Sequence, residues 1–262
     1  MKALVPRSWR RRLRRLGAQP VYTGRYSSWA EAAAASRGYA DEGIFEKTLA
    51  AARAVRDGRA AWERDTVLFA SPAANAPLLA ALRLAAAAHG QRLNVADFGG
   101  SLGSTWWQHR PWLADLAEVR WSVVEQARWV DTGRREFTAG PLRFYGTLAE
   151  CCEVEHPKVL LLSSVLPYLE SPHELLAAAR AGGFTHLIID RTGFVARGPD
   201  RLTVQHVPPE IYEASYPCWF FDRSALLQPF ARDWRIVTEW TTDDEVDIDA
   251  DHRGLMLERI ST

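Results

Sequence analysis

The chain has 262 residues, 47% of them hydrophobic, and its 32 Lys and Arg balance 32 Asp and Glu to a formal charge of zero. That length and composition exclude a disordered chain, predict one large domain or a domain with an N-terminal extension, and leave no global basic field to attract nucleic acid. Of three cysteines, Cys151 and Cys152 are adjacent and Cys218 stands alone; this gives neither a disulfide framework nor a CxxC metal site, so no metal is expected and a reducing, cytoplasmic compartment is.

The first 20 residues form a basic arm. Arg7-Ser8-Trp9-Arg10-Arg11-Arg12-Leu13-Arg14-Arg15-Leu16 resembles the start of a signal peptide, but Gly17-Ala18-Gln19-Pro20 stands where the apolar region should follow. As a helix, residues 7–16 would set Trp9, Leu13 and Leu16 in a stripe among arginines, suited to peripheral contact with an anionic membrane. The other reading is a disordered basic tail. Further along, residues 78–88 are broken by Arg83 and residues 159–169 by Ser163, Ser164 and Pro167, so no apolar run reaches the roughly 20 residues a membrane span needs.

Residues 21–90 read as a helical cap. Ser28 and Glu31 have capping-box spacing, Ile44, Phe45, Leu49, Ala52 and Val55 recur at helical period before Asp57-Gly58, and Asn75 with Pro77 starts a third helix that should end near Gly90. From residue 91 the pattern becomes strand, turn, helix. Short apolar runs at 93–98, 121–124, 142–145, 159–163 and 186–189 alternate with helix-length segments, which predicts an α/β fold with a parallel sheet covered on both faces. An excursion at 191–221 reads as a lid insertion, being long and aromatic. A short helix at 224–230 follows, then runs at 235–239 and 254–258 that read as a terminal antiparallel hairpin.

Asp97-Phe98-Gly99-Gly100-Ser101-Leu102-Gly103 follows the first of these strands and opens a helix-like segment. A glycine-rich turn there lets backbone N–H groups approach a ligand, and the helix N-terminus favours negative charge. Glu125 ends the second strand roughly 20 residues later, where a carboxylate can accept both hydroxyls of a ribose. Taken singly, the glycines would be a tight turn and Glu125 a solvated strand end. Ligands of such sheets bind beyond the carboxyl ends of the strands, where Gly99, Glu125, Ser163 and Asp190 all fall.

Five βα units, the Asp97-x-Gly99-x-Ser101-x-Gly103 turn, Glu125 and the closing hairpin resemble the class I S-adenosylmethionine-dependent methyltransferases, whose sheet is Rossmann-like and seven-stranded. Within them the chain resembles a family of methyltransferases of unassigned substrate found among bacterial surface-polysaccharide genes. That resemblance is carried by Tyr26-Ser27-Ser28-Trp29, the glycine turn through Ser104, Val124-Glu125-Gln126, Leu162-Ser163-Ser164-Val165-Leu166-Pro167-Tyr168-Leu169, Ile189-Asp190-Arg191-Thr192 and Ser215-Tyr216-Pro217-Cys218-Trp219-Phe220-Phe221. Ser101 replaces the family's middle glycine, and Gly146 stands where many relatives place an acid near the adenine.

The resemblance implies S-adenosylmethionine as cofactor, held by Asp97, Gly99, Gly100, Ser101, Gly103, Glu125 and Ser163, and a small-molecule or glycan acceptor, with O-methylation of a glycan or glycan precursor as the reaction. On the acceptor side, Tyr168 and its serines could orient the acceptor or form an ordinary polar loop. Asp190 and Arg191 could bind it or pair with each other, and His206 could be a general base or a surface histidine. The rings of Tyr212, Tyr216 and Trp219 suit a sugar face, or else they pack on the N-terminal helices. A non-catalytic Rossmann-like binding domain and a nicotinamide-dependent oxidoreductase are the alternatives, the second disfavoured by the hairpin.

Overall fold

The computed structural model describes residues 20–36, 42–207, 214–242, 244 and 246–260. The basic arm 7–16 and, in the excursion, Pro208, Pro209 and Tyr212 lie outside the described residues.

Three helices precede the main sheet as expected. In α1 (Trp29–Ala34) the Ser28 hydroxyl accepts the Glu31 N–H, and the Glu31 carboxylate returns to Ser27, so the capping pair closes. α2 (Glu42–Arg56) buries all five residues of its apolar stripe, Ile44, Phe45, Leu49, Ala52 and Val55. α3 (Ala76–Ala88) is capped by Asn75 and ends at His89 and Gly90, which takes φ 64°. The expected all-helical cap is nonetheless interrupted by β1 (Tyr22–Tyr26) and by the hairpin β2 (Trp62–Arg64) and β3 (Val67–Phe69).

The parallel strands fall where the apolar runs predict: β4 (Arg92–Phe98), β5 (Glu118–Val124), β6 (Leu142–Tyr145), β7 (Val159–Ser163) and β8 (His186–Val195). Between them lie α4 (Ser104–His109), α5 (Ala127–Glu136), α6 (Leu148–Glu155) and α7 (Pro172–Ala181). After α8 (Arg223–Leu227) come β11 (Trp234–Thr241) and β12 (Ala250–Arg259), the expected hairpin. The sheet order is β11-β12-β8-β7-β4-β5-β6, with β4 to β8 parallel and β12 antiparallel to both β8 and β11. This is the Rossmann-like seven-stranded sheet the resemblance implies. Chain order reverses between β4 and β7, which opens a crevice at their carboxyl ends.

The excursion is not a loop. β8 runs on past Asp190 to Val195, and β9 (Arg201–His206) and β10 (Ser215–Phe220) join β1 in a three-stranded antiparallel sheet, order β1-β9-β10. Its aromatic residues explain the difference. Phe220 and Phe221 are fully buried, and the Phe220 ring meets Tyr22 edge-on at 4.8 Å, so these two rings build a core. Among the described residues no helix is long and apolar enough to cross a membrane, and the three cysteines are free thiols.

Candidate functional site

A cavity of about 810 Å³ lies between the carboxyl ends of the main sheet, the β2–β3 hairpin and the three-stranded sheet. One end is the glycine turn. Gly99 has φ 73° and donates its N–H to Val124 O at 2.9 Å, and a Cβ there would fall on Val165, the loop after β7. A Cβ on Gly100 would come within 2.6 Å of the Asp97 carboxylate, so the turn is pressed onto that side chain. Asp97 is 1% exposed and accepts the Trp121 indole N–H at 2.9 Å; burial pushes its pKa up to about 7. Gly103 caps α4 at φ 87° and packs on Leu142 without lining the cavity, so its part is structural.

Glu125 faces the cavity from the end of β5. Its carboxylate accepts the Gln126 N–H at 2.8 Å and the Ser101 N–H, and burial raises its pKa. Ser101 takes a left-handed φ of 55°, and its hydroxyl is buried with no partner among the described residues. A turn packed too closely for side chains, an orphaned hydroxyl and a carboxylate at the next strand end suit a ribonucleoside carrying a polar tail. Gly146 also lines the cavity, and a Cβ there would meet only Glu150 Oε2, at 3.8 Å, leaving room beside an aromatic base.

The other end is built around Asp190, which is fully buried. Its carboxylate accepts Ser163 Oγ at 3.0 Å, Trp240 Nε1 at 3.0 Å and Asn75 Nδ2 at 3.3 Å, and burial raises its pKa. So many donors make Asp190 an anchor for three elements. It does not pair with Arg191, which has φ 49° and forks onto Asp244 at 3.0 Å, with Asp65 at 3.6 Å. Tyr168 lines the cavity, donates to Gln205 at 2.9 Å and meets Tyr216 edge-on at 5.2 Å.

Besides Gly103, two expected residues are not brought to the cavity. His206 shares a 2.8 Å hydrogen bond with Thr23 Oγ1, while its neighbours Gln205 and Val207 line the cavity, as strand alternation requires. Trp219 donates its indole N–H to Leu169 O at 3.1 Å and is also absent from the lining.

The cavity gains residues that sequence reasoning passed over. Glu63 is 6% exposed, accepts the Ser104 hydroxyl, and has its pKa raised by burial. Arg64 follows it into the lining. Asn75 lines the cavity too, and behind it His109, outside the lining, donates Nδ1–H to Thr105 O at 2.8 Å and accepts the Asn75 N–H on Nε2 at 3.1 Å, which fixes a neutral ring; burial lowers its pKa. The Asp65-Thr66 turn that brings Glu63 and Arg64 here has φ values of 51° and 70°, the two-residue hairpin geometry usually signalled by Asn-Gly or Asp-Gly.

No protein-family model matches the sequence, and no curated protein matches it. Solved structures do align with it. Magnesium protoporphyrin IX methyltransferase from Synechocystis, with S-adenosylhomocysteine bound, is 12% identical over 85% of this chain and 97% of its own, TM-score 0.49. The N-terminal domain of EvdMO1, solved in the presence of S-adenosylhomocysteine and D-fucose, is 15% identical over 82% of this chain and 97% of its own, TM-score 0.46. The 1,6-didemethyltoxoflavin-N1-methyltransferase of Burkholderia thailandensis is 16% identical over 91% of this chain and 93% of its own, TM-score 0.42.

Proposed function

We propose that this protein is an S-adenosylmethionine-dependent methyltransferase and that its acceptor is a hydroxyl of a glycan or glycan precursor. The observation that carries the first part is the pairing of the Gly99–Ser101 turn with Glu125, at the crevice of a seven-stranded sheet and facing one cavity. Glu125 would accept the ribose hydroxyls, the turn would lie along the polar tail, and the Ser101 hydroxyl would gain the partner it lacks. The bound cofactor supplies a methyl group open to in-line displacement. The chain's own task is to hold the acceptor oxygen on that line, since alignment alone is worth several kcal/mol of the barrier. Tyr168 and Tyr216 offer ring faces and a phenol edge for this, and Asp190, held from three sides, fixes the strand end beside them. The glycan part of the proposal is supported by the sequence resemblance.

Replacing Glu125 with alanine removes a charge-assisted pair of hydrogen bonds, so S-adenosylhomocysteine affinity measured by calorimetry should fall by roughly 10- to 150-fold. Unchanged affinity in a folded variant would sink the cofactor assignment, and tighter binding of NAD by the parent would favour the oxidoreductase reading. The acceptor is sought by labelled methyl incorporation into nucleotide-sugar and lipid-linked glycan pools.

A further inference from the structure

The β2–β3 hairpin gives Glu63, Arg64, Asp65 and Thr66 to the cavity lining and is fixed at several points. Trp62 stacks on Phe69 at 3.9 Å and donates its indole N–H to Ser71 O at 3.1 Å. Glu63 is tied to Ser104 at the start of α4, and Asp65 reaches Arg191 on β8. Arg64 stands between these two ties, in the cavity lining, with its guanidinium 5.4 Å from the Trp62 ring centroid. Among the described residues no carboxylate or carbonyl takes its N–H groups; neighbouring Arg191 has Asp244 for that purpose. Burial, and then the like charge of Arg191, lower the Arg64 pKa against the pull of Asp244, Asp65 and Asp190, whose carboxylates are near without being hydrogen-bonded to it.

A guanidinium keeps its charge at any physiological pH, and Arg64, half-buried at the cavity wall, holds its N–H groups open to a ligand. Its planar fork matches a carboxylate or a phosphate in two parallel hydrogen bonds. We propose that Arg64 receives an anionic group, a carboxylate or a phosphate, carried by the methyl acceptor. The Glu63–Ser104 tie holds the residue before Arg64 near the glycine turn, and the Asp65–Arg191 contact draws Arg64 toward the acceptor end. Asp65, next in the chain, touches Arg191 on β8, whereas Glu125 ends β5, and β7 and β4 lie between those strands, a separation of roughly 14 Å at ordinary strand spacing. The assignment to an acceptor rests on the methyltransferase reading; the anion site itself does not.

Calorimetry on the parent, Arg64→Gln and Arg64→Lys tests it, with pyrophosphate, D-glucuronate and D-glucose as probes, each with and without saturating S-adenosylhomocysteine. The parent should bind at least one anion and ignore glucose. Arg64→Gln should weaken that binding roughly tenfold or more, and the lysine variant, which keeps charge without the fork, should fall between. Thermal melts establish that both variants are folded. The second arm compares S-adenosylhomocysteine with 5′-methylthioadenosine, which lacks the amino-acid tail, and their affinity ratio should be the same in all three proteins. If Arg64→Gln weakens only S-adenosylhomocysteine, the residue holds the cofactor's carboxylate and the proposal is overturned, as it is if the anions bind parent and variant alike or bind neither. Anion binding through Arg64 in a parent that ignores S-adenosylhomocysteine would support the site and overturn the methyltransferase reading alone.

Discussion

Asp97 is a carboxyl without water, answered by one indole N–H and covered by Gly100. Its pKa stands at about 7 in the folded chain against about 3.9 in an unfolded one. Below pH 4 both states are protonated and Asp97 costs nothing; as pH rises toward 7 the unfolded chain gives up the proton first, so stability falls, by roughly 4 kcal/mol once both states are ionised. Asp97→Asn is neutral throughout. Urea denaturation between pH 4 and pH 8 should show the variant gaining on the parent by about that amount, and a constant difference would mean that folding leaves the Asp97 pKa where it was. The same residue shows what a sequence discloses about a site. Asp97, the glycines and Glu125 were legible because two neighbouring strands deliver them within one short span. Glu63, Arg64 and Asn75 were not, since a hairpin without a glycine turn and a helix cap bring them in from other layers.

At the scale of elements, the terminal hairpin does more than close the sheet. Trp240 on β11 lies opposite Gly254 on β12, and a Cβ on Gly254 would fall on the indole. The missing side chain lets Trp240 lie across β12 and donate to Asp190 at 3.0 Å on β8 beyond it. Gly254→Ala should therefore destabilise by about 2 kcal/mol or more, through overpacking and the lost donor to a buried carboxyl, with Trp240 fluorescence moving toward that of exposed indole. Parent-like stability and emission would show that Trp240 shifts freely and that this contact does not hold the strand end. The hairpin and the five parallel strands could be read locally, because each is an apolar run with its own boundaries. β1, β9 and β10 could not: the Tyr22–Tyr26 strand contains a glycine and pairs with β9 from the far end of the chain, so no local window holds the pattern, and the aromatic run at 216–221 supplies both a cavity wall at Tyr216 and Pro217 and buried core at Phe220 and Phe221.

On the scale of the molecule, the two sheets are joined where the far end of β8 meets Phe221, the residue that follows β10. Beyond Asp190 the Gly193 carbonyl accepts the Phe221 N–H at 2.9 Å, and Val195 N–H donates to Phe221 O at 3.0 Å. A Cβ on Gly193 would stand 2.6 Å from the Phe220 ring, so the contact is backbone against core. The cavity draws its lining from both sides of this join, Gly99 to Ser101 and Glu125 from the main sheet, Gln205, Tyr216 and Pro217 from the smaller one. A ligand spanning it should therefore stabilise the protein as a unit. S-adenosylhomocysteine at 100 times its Kd adds about 2.7 kcal/mol, which for a chain of this size is a rise in Tm of roughly 5 to 10 °C. Hydrogen exchange should slow in α4 and in β9 and β10 together, with one thermal transition before and after. A second transition, or protection confined to α4, would mean that the smaller sheet opens by itself, and the acceptor end of the cavity would then be assembled only when the acceptor arrives.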